Sequence, residues 1–376
     1  MLGKKLLGPE HEETLDSMQM VGLIYLLEGR WKEAEELFVQ VMGASKRVLG
    51  AEHPKTLTSM ANLALTYRDQ GRWKKEEELE AQVIEIRKRV LGAEHPDTLI
   101  SMANLASTYW NQGRWKEAEE LFVQVMETNK RVLGVEYPHT LISMGNLALT
   151  YSNQGRWKEA EELEVQVIEM MERVLGVEHP HTLTSMNNVP SMYRSQGRWK
   201  EAEELFVQVM EMRKRVLGTE HPDTLTSMAN LASTYWNQGR WKEAEELFVQ
   251  VMETNKRVLG AEHPDTLTSM NNLALTCNNQ GRWNEAEELF VQVMETRKEV
   301  LGAEHPSTLN TMANLAFTWK EQGRGTEALN LMQDCIQLQS KILGLDHPHT
   351  MSCSATLIDW RTEKLDIEVP AANHAV

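Results

Sequence analysis

The sequence predicts an all-α solenoid of helix-turn-helix repeats, on three observations. Leu-Gly recurs every 42 residues, from Leu7-Gly8 through Leu49-Gly50, Leu91-Gly92, Leu133-Gly134, Leu175-Gly176, Leu217-Gly218, Leu259-Gly260 and Leu301-Gly302 to Leu343-Gly344. A fixed period in this range marks a stack of one small supersecondary motif. Within each period, apolar residues fall at helical spacing in two blocks, with Gln-Gly-Arg between them, or Glu28-Gly29-Arg30 in the first. Finally, each repeat in such a stack packs only on its neighbours. A chain of 376 residues therefore escapes the limit of roughly 250–300 residues on a single core.

The repeat at 49–90 justifies each element in order. Gly50 follows a basic, apolar segment and reads as a helix C-cap, where glycine enters the left-handed region cheaply. Pro54 suits a first helical turn, whose N–H would be unpaired anyway. Leu57, Met60, Leu63, Ala64 and Tyr67 then form the stripe of a first helix. Gln70-Gly71-Arg72 ends it, and Trp73 opens a second helix carrying Leu79, Val83, Ile84 and Ile86. Each repeat is thus a helix of about 16 residues, a tight turn and a helix of about 18, neither able to bury its stripe alone. Eight repeats fill residues 1–342, a capping helix is expected within 343–363, and 364–376 read as a disordered tail. No Gly/Ser linker divides the array, so it reads as one domain.

Composition excludes several classes. The net charge of −16 argues against a phosphate-backbone partner, so no nucleic acid is expected. No apolar run approaches the roughly 20 residues of a membrane span, and the start, MLGKKLLGPEHEETL, lacks the features of a signal peptide. Cys277, Cys335 and Cys353 are an odd number without metal spacing, which suits a reducing, cytoplasmic setting and no disulfide framework.

A small residue three before an aromatic (Ala64/Tyr67, Ala106/Tyr109, Ala148/Tyr151) and a second-helix alanine (Ala34, Ala118, Ala160, Ala202, Ala244, Ala286) resemble the tetratricopeptide repeat. The common repeat of that family has 34 residues. The longer period here, with H-P-x-T-L, N-L-A and Q-G-R-W, is similar to the kinesin light chain type, although the amino-terminal coiled coil of a true kinesin light chain is absent. The near-identity of the repeats looks most like the repeat tails of fungal NOD-like (STAND) receptors: residues 91–132 and 217–258 differ only at Ala93/Thr219 and Ile100/Thr226. The resemblance implies a right-handed superhelix that binds a protein or peptide segment in its concave groove and does no chemistry. It implies a receptor sensor domain first and a cargo adaptor second. An enzyme or small-molecule binder using the superhelix lumen, around Trp110 and Trp236, is the alternative of a different class.

Asn62, Asn104, Asn146, Asn188, Asn230, Asn272 and Asn314 share one first-helix position. The resemblance places it in the groove, where a carboxamide can both donate to and accept from a peptide backbone. The competing reading is that each asparagine bonds the neighbouring repeat. Six residues on, Arg68, Trp110, Ser152, Arg194, Trp236, Asn278 and Lys320 vary in an otherwise copied frame. They read as specificity positions, or as fillers between repeats. Thr58, Thr226, Ser107 and Ser233 are polar, uncharged groove positions nearby.

His11, His53, His95, His179, His221, His263, His305 and His347 recur, with Tyr137 substituting once. Packed helices lie about 8–10 Å apart, too far for two members to share an ion with bonds of about 2 Å. A helix-entry or inter-repeat hydrogen bond is the expected role, and no metal or cofactor is expected. The tryptophans Trp31, Trp73, Trp115, Trp157, Trp199, Trp241 and Trp283 read as core. The acidic runs, such as Glu33 to Glu36, read as a solvated outer face. No phosphate loop, H-E-x-x-H or G-x-S-x-G occurs, so no catalytic residue is assigned.

Three departures stand out. Pro190 falls inside a first helix, where a kinked or shortened helix and a hinge are expected. Glu80 and Glu164 replace the phenylalanine seen at Phe38, Phe122 and Phe206, which calls for a wet or salt-bridged site. Met20, Leu23, Ile24, Leu26 and Leu27 make an apolar amino-terminal helix, suggesting self-association, a partner or a further domain.

Overall fold

The computed structural model describes residue 8 and residues 10–368, among which there are seventeen helices and no strand. They pair as the repeat requires: α1 (Glu12–Leu27) with α2 (Trp31–Val48), α3 (Pro54–Asp69) with α4 (Trp73–Val90), α5 (Pro96–Asn111) with α6 (Trp115–Val132), and α7 (Pro138–Asn153) with α8 (Trp157–Leu175). Next come α9 (Pro180–Ser195) with α10 (Trp199–Leu217), α11 (Pro222–Asn237) with α12 (Trp241–Val258), α13 (Pro264–Asn279) with α14 (Trp283–Val300), and α15 (Pro306–Glu321) with α16 (Gly325–Ile342). The final helix is α17 (Pro348–Glu368). Two compact units form, one from residues up to 247 with 257–259, the other from 248–256 with residues from 260 on. Each is an all-α solenoid of stacked helix pairs. No helix among the described residues is long and apolar enough to cross a membrane.

The histidine column starts the first helices. His53 Nδ1 accepts from the Lys55 backbone N–H at 3.3 Å, and His95, His179, His221, His263, His305 and His347 do the same two residues on. Each therefore satisfies one of the orphan donors of a helix start. Tyr137 occupies the same place and makes no such bond. The threonine of H-P-x-T closes the entry loop: Thr56 Oγ1 donates to the Gly50 carbonyl at 2.8 Å, and Thr140 to Gly134 at 2.8 Å. At the turn, Gly71 has φ of 68° and the Arg72 N–H reaches back to the Tyr67 carbonyl at 2.8 Å, a glycine-terminated C-cap.

The core lies between the paired helices and between successive pairs. Ala34, Ala118, Ala160 and Ala202 are fully buried where helices cross, beside Phe38, Phe122 and Phe206. Each buried phenylalanine contributes about 1.5–3 kcal/mol. The Q-G-R motif fastens one repeat to the next. Gln154 Nε2 donates to Glu119 of the preceding repeat at 2.8 Å, Arg156 Nη1 donates to the same carboxylate at 2.7 Å, and the guanidinium stacks 3.9 Å from the centre of the Tyr151 ring. The Arg–Glu pair recurs at Arg72, Arg114, Arg198 and Arg240 in the first unit and at Arg324 in the second.

Several expectations need correction. One glutamate of each acidic run, such as Glu35, Glu119 or Glu203, is half-buried in this ladder instead of solvated. The tryptophan column is not core: Trp199, Trp241 and Trp283 are among the exposed large side chains, because the first position of a second helix points away from its partner. What the next repeat uses is the main chain there, as where Gln154 Nε2 donates to the Trp115 carbonyl at 3.2 Å. The helix holding Pro190 is not shortened; α9 runs the full Pro180–Ser195, with Pro190 buried at the helix-crossing position of Ala148 and Ala232. In α1, Leu23 and Leu26 pack on Ala34 and Phe38, whereas Met20, Val21, Ile24 and Leu27 are exposed. The last helix continues past Glu363 to Glu368, and residues 369–376, where a disordered tail is expected, lie outside the described residues.

Candidate functional site

A cleft of about 270 Å³ opens between the first helices of the third and fourth repeats, in the first compact unit. Its walls are α5 and α7, which bring Asn104 and Asn146 to the same cleft, with Ile100, Ser107, His139 and Ile142 around them. Part of its floor is Leu99 and Val125, both buried. Helix geometry explains the grouping. Residues 100, 104 and 107 are spaced four and three apart, so they share a face, and the period carries that face to 142 and 146 in the next repeat.

Ile100 and Ile142 are 41% and 38% exposed, a high value for two apolar side chains facing one hollow. At the base, Asn129 Nδ2 donates to Ser143 Oγ at 3.2 Å and Ser143 donates to the His139 carbonyl at 2.8 Å. These bonds hold the base of the cleft in one arrangement. Ser107 Oγ donates to the Ala103 carbonyl at 3.0 Å, which leaves its lone pairs as acceptors. The cleft thus offers an apolar seat between two half-buried carboxamides, with no carboxylate, lysine or arginine in its lining. Its volume is just under the span of roughly 300–1,000 Å³ typical of small-molecule pockets. A side chain or two of a longer ligand fits this size better than a whole enclosed molecule.

The asparagine column divides between the cleft, which Asn104 and Asn146 line, and the repeat junctions. All seven members are half-buried. Asn188 Nδ2 donates to Glu164 of the preceding repeat at 2.8 Å, and the Asn230 carbonyl accepts from Arg194 at 3.3 Å. Asn104 lies beside Glu80 as well as in the cleft. Asn314 Nδ2 reaches Asn271 at 3.5 Å. Asn62 and Asn272 share the register on α3 and α13.

The variable column sits elsewhere. Six residues past the asparagine is about 1.7 turns, so the side chain points roughly 120° away around the axis. Trp110 packs on the cluster of Ala106, Ala118, Phe122 and Leu147 between repeats, with its indole nitrogen buried. Trp236 likewise has its indole nitrogen buried. Arg194 lies over the Phe206 ring and bonds Asn230 of the next repeat. Arg68 is half-buried beside Asp69, and Lys320 pairs with Glu363 at 2.8 Å beside the Trp360 ring. These residues lie at repeat junctions and do not line the cleft, as the reading of them as fillers between repeats has it. The cleft's isoleucines escaped sequence reasoning, although the signal was there: Ile100 and Ile142 replace the threonine of Thr58, Thr184 and Thr226.

The strongly perturbed carboxyls are also at junctions. Glu76 stands where other repeats have the crossing alanine, one turn before Glu80, and both are 0% exposed. Their four oxygens are buried without a well-formed hydrogen bond. Thr108, beside Glu76, donates instead to the Asn104 carbonyl at 3.1 Å. Desolvation pushes Glu76 up to about 8 and Glu80 up to about 7. Burial raises Glu164 to about 7, against the Asn188 bond. Glutamate at the phenylalanine position is therefore fully buried and not salt-bridged.

A more open hollow of about 540 Å³ lies along the turn edge at Arg198, Trp199 and Arg240. Its guanidiniums are committed, Arg198 to Glu201 at 2.6 Å and Arg240 to Glu203 at 2.8 Å. The rings of His179 and His181 lie 5.3 Å apart, but the Nδ1 of His179 is occupied by the His181 N–H. Among the described residues, no group of three or more His, Cys, Asp or Glu could hold a metal ion.

Family models described as tetratricopeptide repeat match residues 21–89, 81–130, 97–173, 182–254 and 229–278, and a second set 266–307 and 308–349. No curated protein matches. Among solved structures, a kinesin light chain-like protein of Podospora anserina with nearly identical repeats is 36% identical over 55% of this chain and 97% of its own, with a TM-score of 0.45. The apo form of RapI is 12% identical over 76% of this chain and 98% of its own, at 0.53. A Rap protein complexed with competence and sporulation factor is 10% identical over 93% of this chain and 100% of its own, also at 0.53. The last two show the fold alone.

Proposed function

The chain belongs to the tetratricopeptide repeat family, a scaffold architecture consistent with protein–protein interaction, and from that premise we propose that it binds an extended peptide segment across the cleft between α5 and α7. The observation that carries this reading is the pairing of exposed Ile100 and Ile142 with Asn104 and Asn146 in one hollow. An apolar ligand side chain seats between the isoleucines, while the carboxamides donate to and accept from the ligand main chain. The neighbouring first helices extend the track with Thr58 and Asn62 on one side and Thr184 and Asn188 on the other, all uncharged. The ligand is therefore neutral or apolar at its anchor rather than strongly basic, whatever the −16 net charge of the whole chain. Near-identical repeats, as in 91–132 and 217–258, support a receptor sensor domain as the setting ahead of a cargo adaptor.

A selection from a random peptide library tests this directly. The wild type should enrich peptides with one large aliphatic or aromatic residue. Ile100→Thr/Ile142→Thr, which restores the threonine of the other repeats, should lose that enrichment while keeping its fold. Equal enrichment by both proteins would place the binding elsewhere.

A further inference from the structure

The last repeat and the helix after it each carry a cysteine where the period carries something else. Cys335 on α16 falls one period after Val293 and two after Val251; Cys353 on α17 falls one period after Thr311 and two after Ser269. In a frame this closely copied, two of the chain's three cysteines occupy facing positions of a single junction. Neither is needed for packing, since valine and serine or threonine fill the same sites in earlier repeats. Cys335 is fully buried and Cys353 half-buried, and both belong to the cluster built on Met332, Leu357 and Trp360. Cys335 Sγ donates to the Leu309 carbonyl at 3.1 Å, and Cys353 packs against the cluster that holds Cys335, where the two thiols influence each other's titration.

We propose that Cys335 and Cys353 are a redox modification site, closing under peroxide to a reversible disulfide that fastens α17 to α16. The chemistry balances with hydrogen peroxide as oxidant. The Cys353 thiolate attacks one peroxide oxygen, the O–O bond breaks, and the departing hydroxide takes up a proton to leave as water, giving a sulfenic acid. Cys335 sulfur then attacks the Cys353 sulfur and the S–O bond breaks. The second water leaves with the Cys335 proton, so two thiols and one peroxide become one disulfide and two waters.

The surroundings divide the roles. The neighbouring Cys335 thiol, opposed by burial and assisted by the Gln339 amide, holds Cys353 below the ordinary thiol range, so the more accessible sulfur is the one that more readily forms a thiolate. The neighbouring Cys353 and burial push Cys335 up, which keeps it protonated until the sulfenic acid forms. Gln339 is itself particular to this junction, where other repeats carry Arg297 or Asn255. The consequence is mechanical. A covalent link between α16 and α17 opposes local opening of α17, the last helix among the described residues.

Peptide mapping of the folded chain after one equivalent of hydrogen peroxide and alkylation tests the proposal. The expected product is a Cys335–Cys353 linked peptide, about 2 Da lighter than the sum of its reduced parts and released by dithiothreitol, with Cys277 alkylated. Hydrogen exchange over 348–363 should slow about tenfold on oxidation. Cys335→Val and Cys353→Ser, which restore the residues of the earlier repeats, should fold, show no link and leave that exchange rate unmoved by peroxide. Cys353 recovered as sulfinic acid without a linked peptide, a link to Cys277, or a link that forms only after denaturation would each overturn the proposal.

Discussion

Replacing Glu76 with alanine and Glu80 with phenylalanine gives the second repeat the residues its neighbours carry at 118 and 122. Both carboxyls are fully buried at the junction of α4 with α5, facing Thr108, Ser101 and Asn104, with Arg68, Asp69 and Arg87 as the charged groups around them. Arg87 favours the charged form of Glu80 at a distance but makes no ion pair with either acid, its guanidinium donating to the Asp97 carbonyl and to Ser101 Oγ. Folded, the two acids titrate at about 8 and about 7, above the ordinary carboxyl value of 4.5. The folded state therefore keeps these protons while the unfolded state loses them. Stability is whole below pH 4.5 and drains away as pH rises through 7 and 8. At 1.36 kcal/mol per pH unit, each acid costs about 3 kcal/mol at pH 7 relative to pH 4. Urea midpoints of wild type and Glu76→Ala/Glu80→Phe at pH 5 and pH 8 provide the assay. The variant should be more stable at both, and its advantage should widen by several kcal/mol at pH 8. A difference that stays constant with pH, or a wild type as stable at pH 8 as at pH 5, would refute the burial of these acids in protonated form.

Three other outcomes follow from particular residues. Tyr137→His should supply the missing helix cap and raise stability by about 0.5–1 kcal/mol, read from the thermal or urea midpoint. Pro190→Ala should restore a helix hydrogen bond to the Met186 carbonyl and gain about 1–3 kcal/mol; hydrogen exchange over 180–210 should slow to match 222–252, and no change in exchange would rule out a weak joint there. The exposed row of Met20, Val21, Ile24 and Leu27 should drive association of the chain, so sedimentation should show wild type heavier than Ile24→Ser/Leu27→Ser at the same concentration; an always monomeric wild type would dismiss the surface.

Periodic features were the legible ones. The 42-residue spacing, Gly50, Pro54 and the Q-G-R turn placed the helices because each acts through local backbone chemistry that its own residues determine. The histidine column was legible for the same reason, since geometry excluded shared metal ligation and left a cap. What the sequence hid was the direction in which side chains point. Trp110 and Trp236 vary as a specificity position would, yet they face the repeat junction, because six residues along a helix turns the side chain away from the asparagine face. Trp199 looked like core by composition and lies at the surface by register. Glu80 was visible as an anomaly, but whether water or an ion pair accompanies it depends on Thr108, Ser101 and Arg87, which are distant in sequence and committed to other partners. The cleft required two neighbouring repeats to carry isoleucine together, a coincidence that one repeat read alone does not show.

Side-chain amide resonances of asparagine-labelled protein, titrated with a peptide enriched in the library selection, bear most directly on the binding cleft. The Asn104 and Asn146 amides should shift together and saturate at one stoichiometric site, with Ile100→Thr/Ile142→Thr abolishing both shifts. Unmoved Asn104 and Asn146 signals, with the shifts confined to asparagines outside the cleft, would contradict binding there.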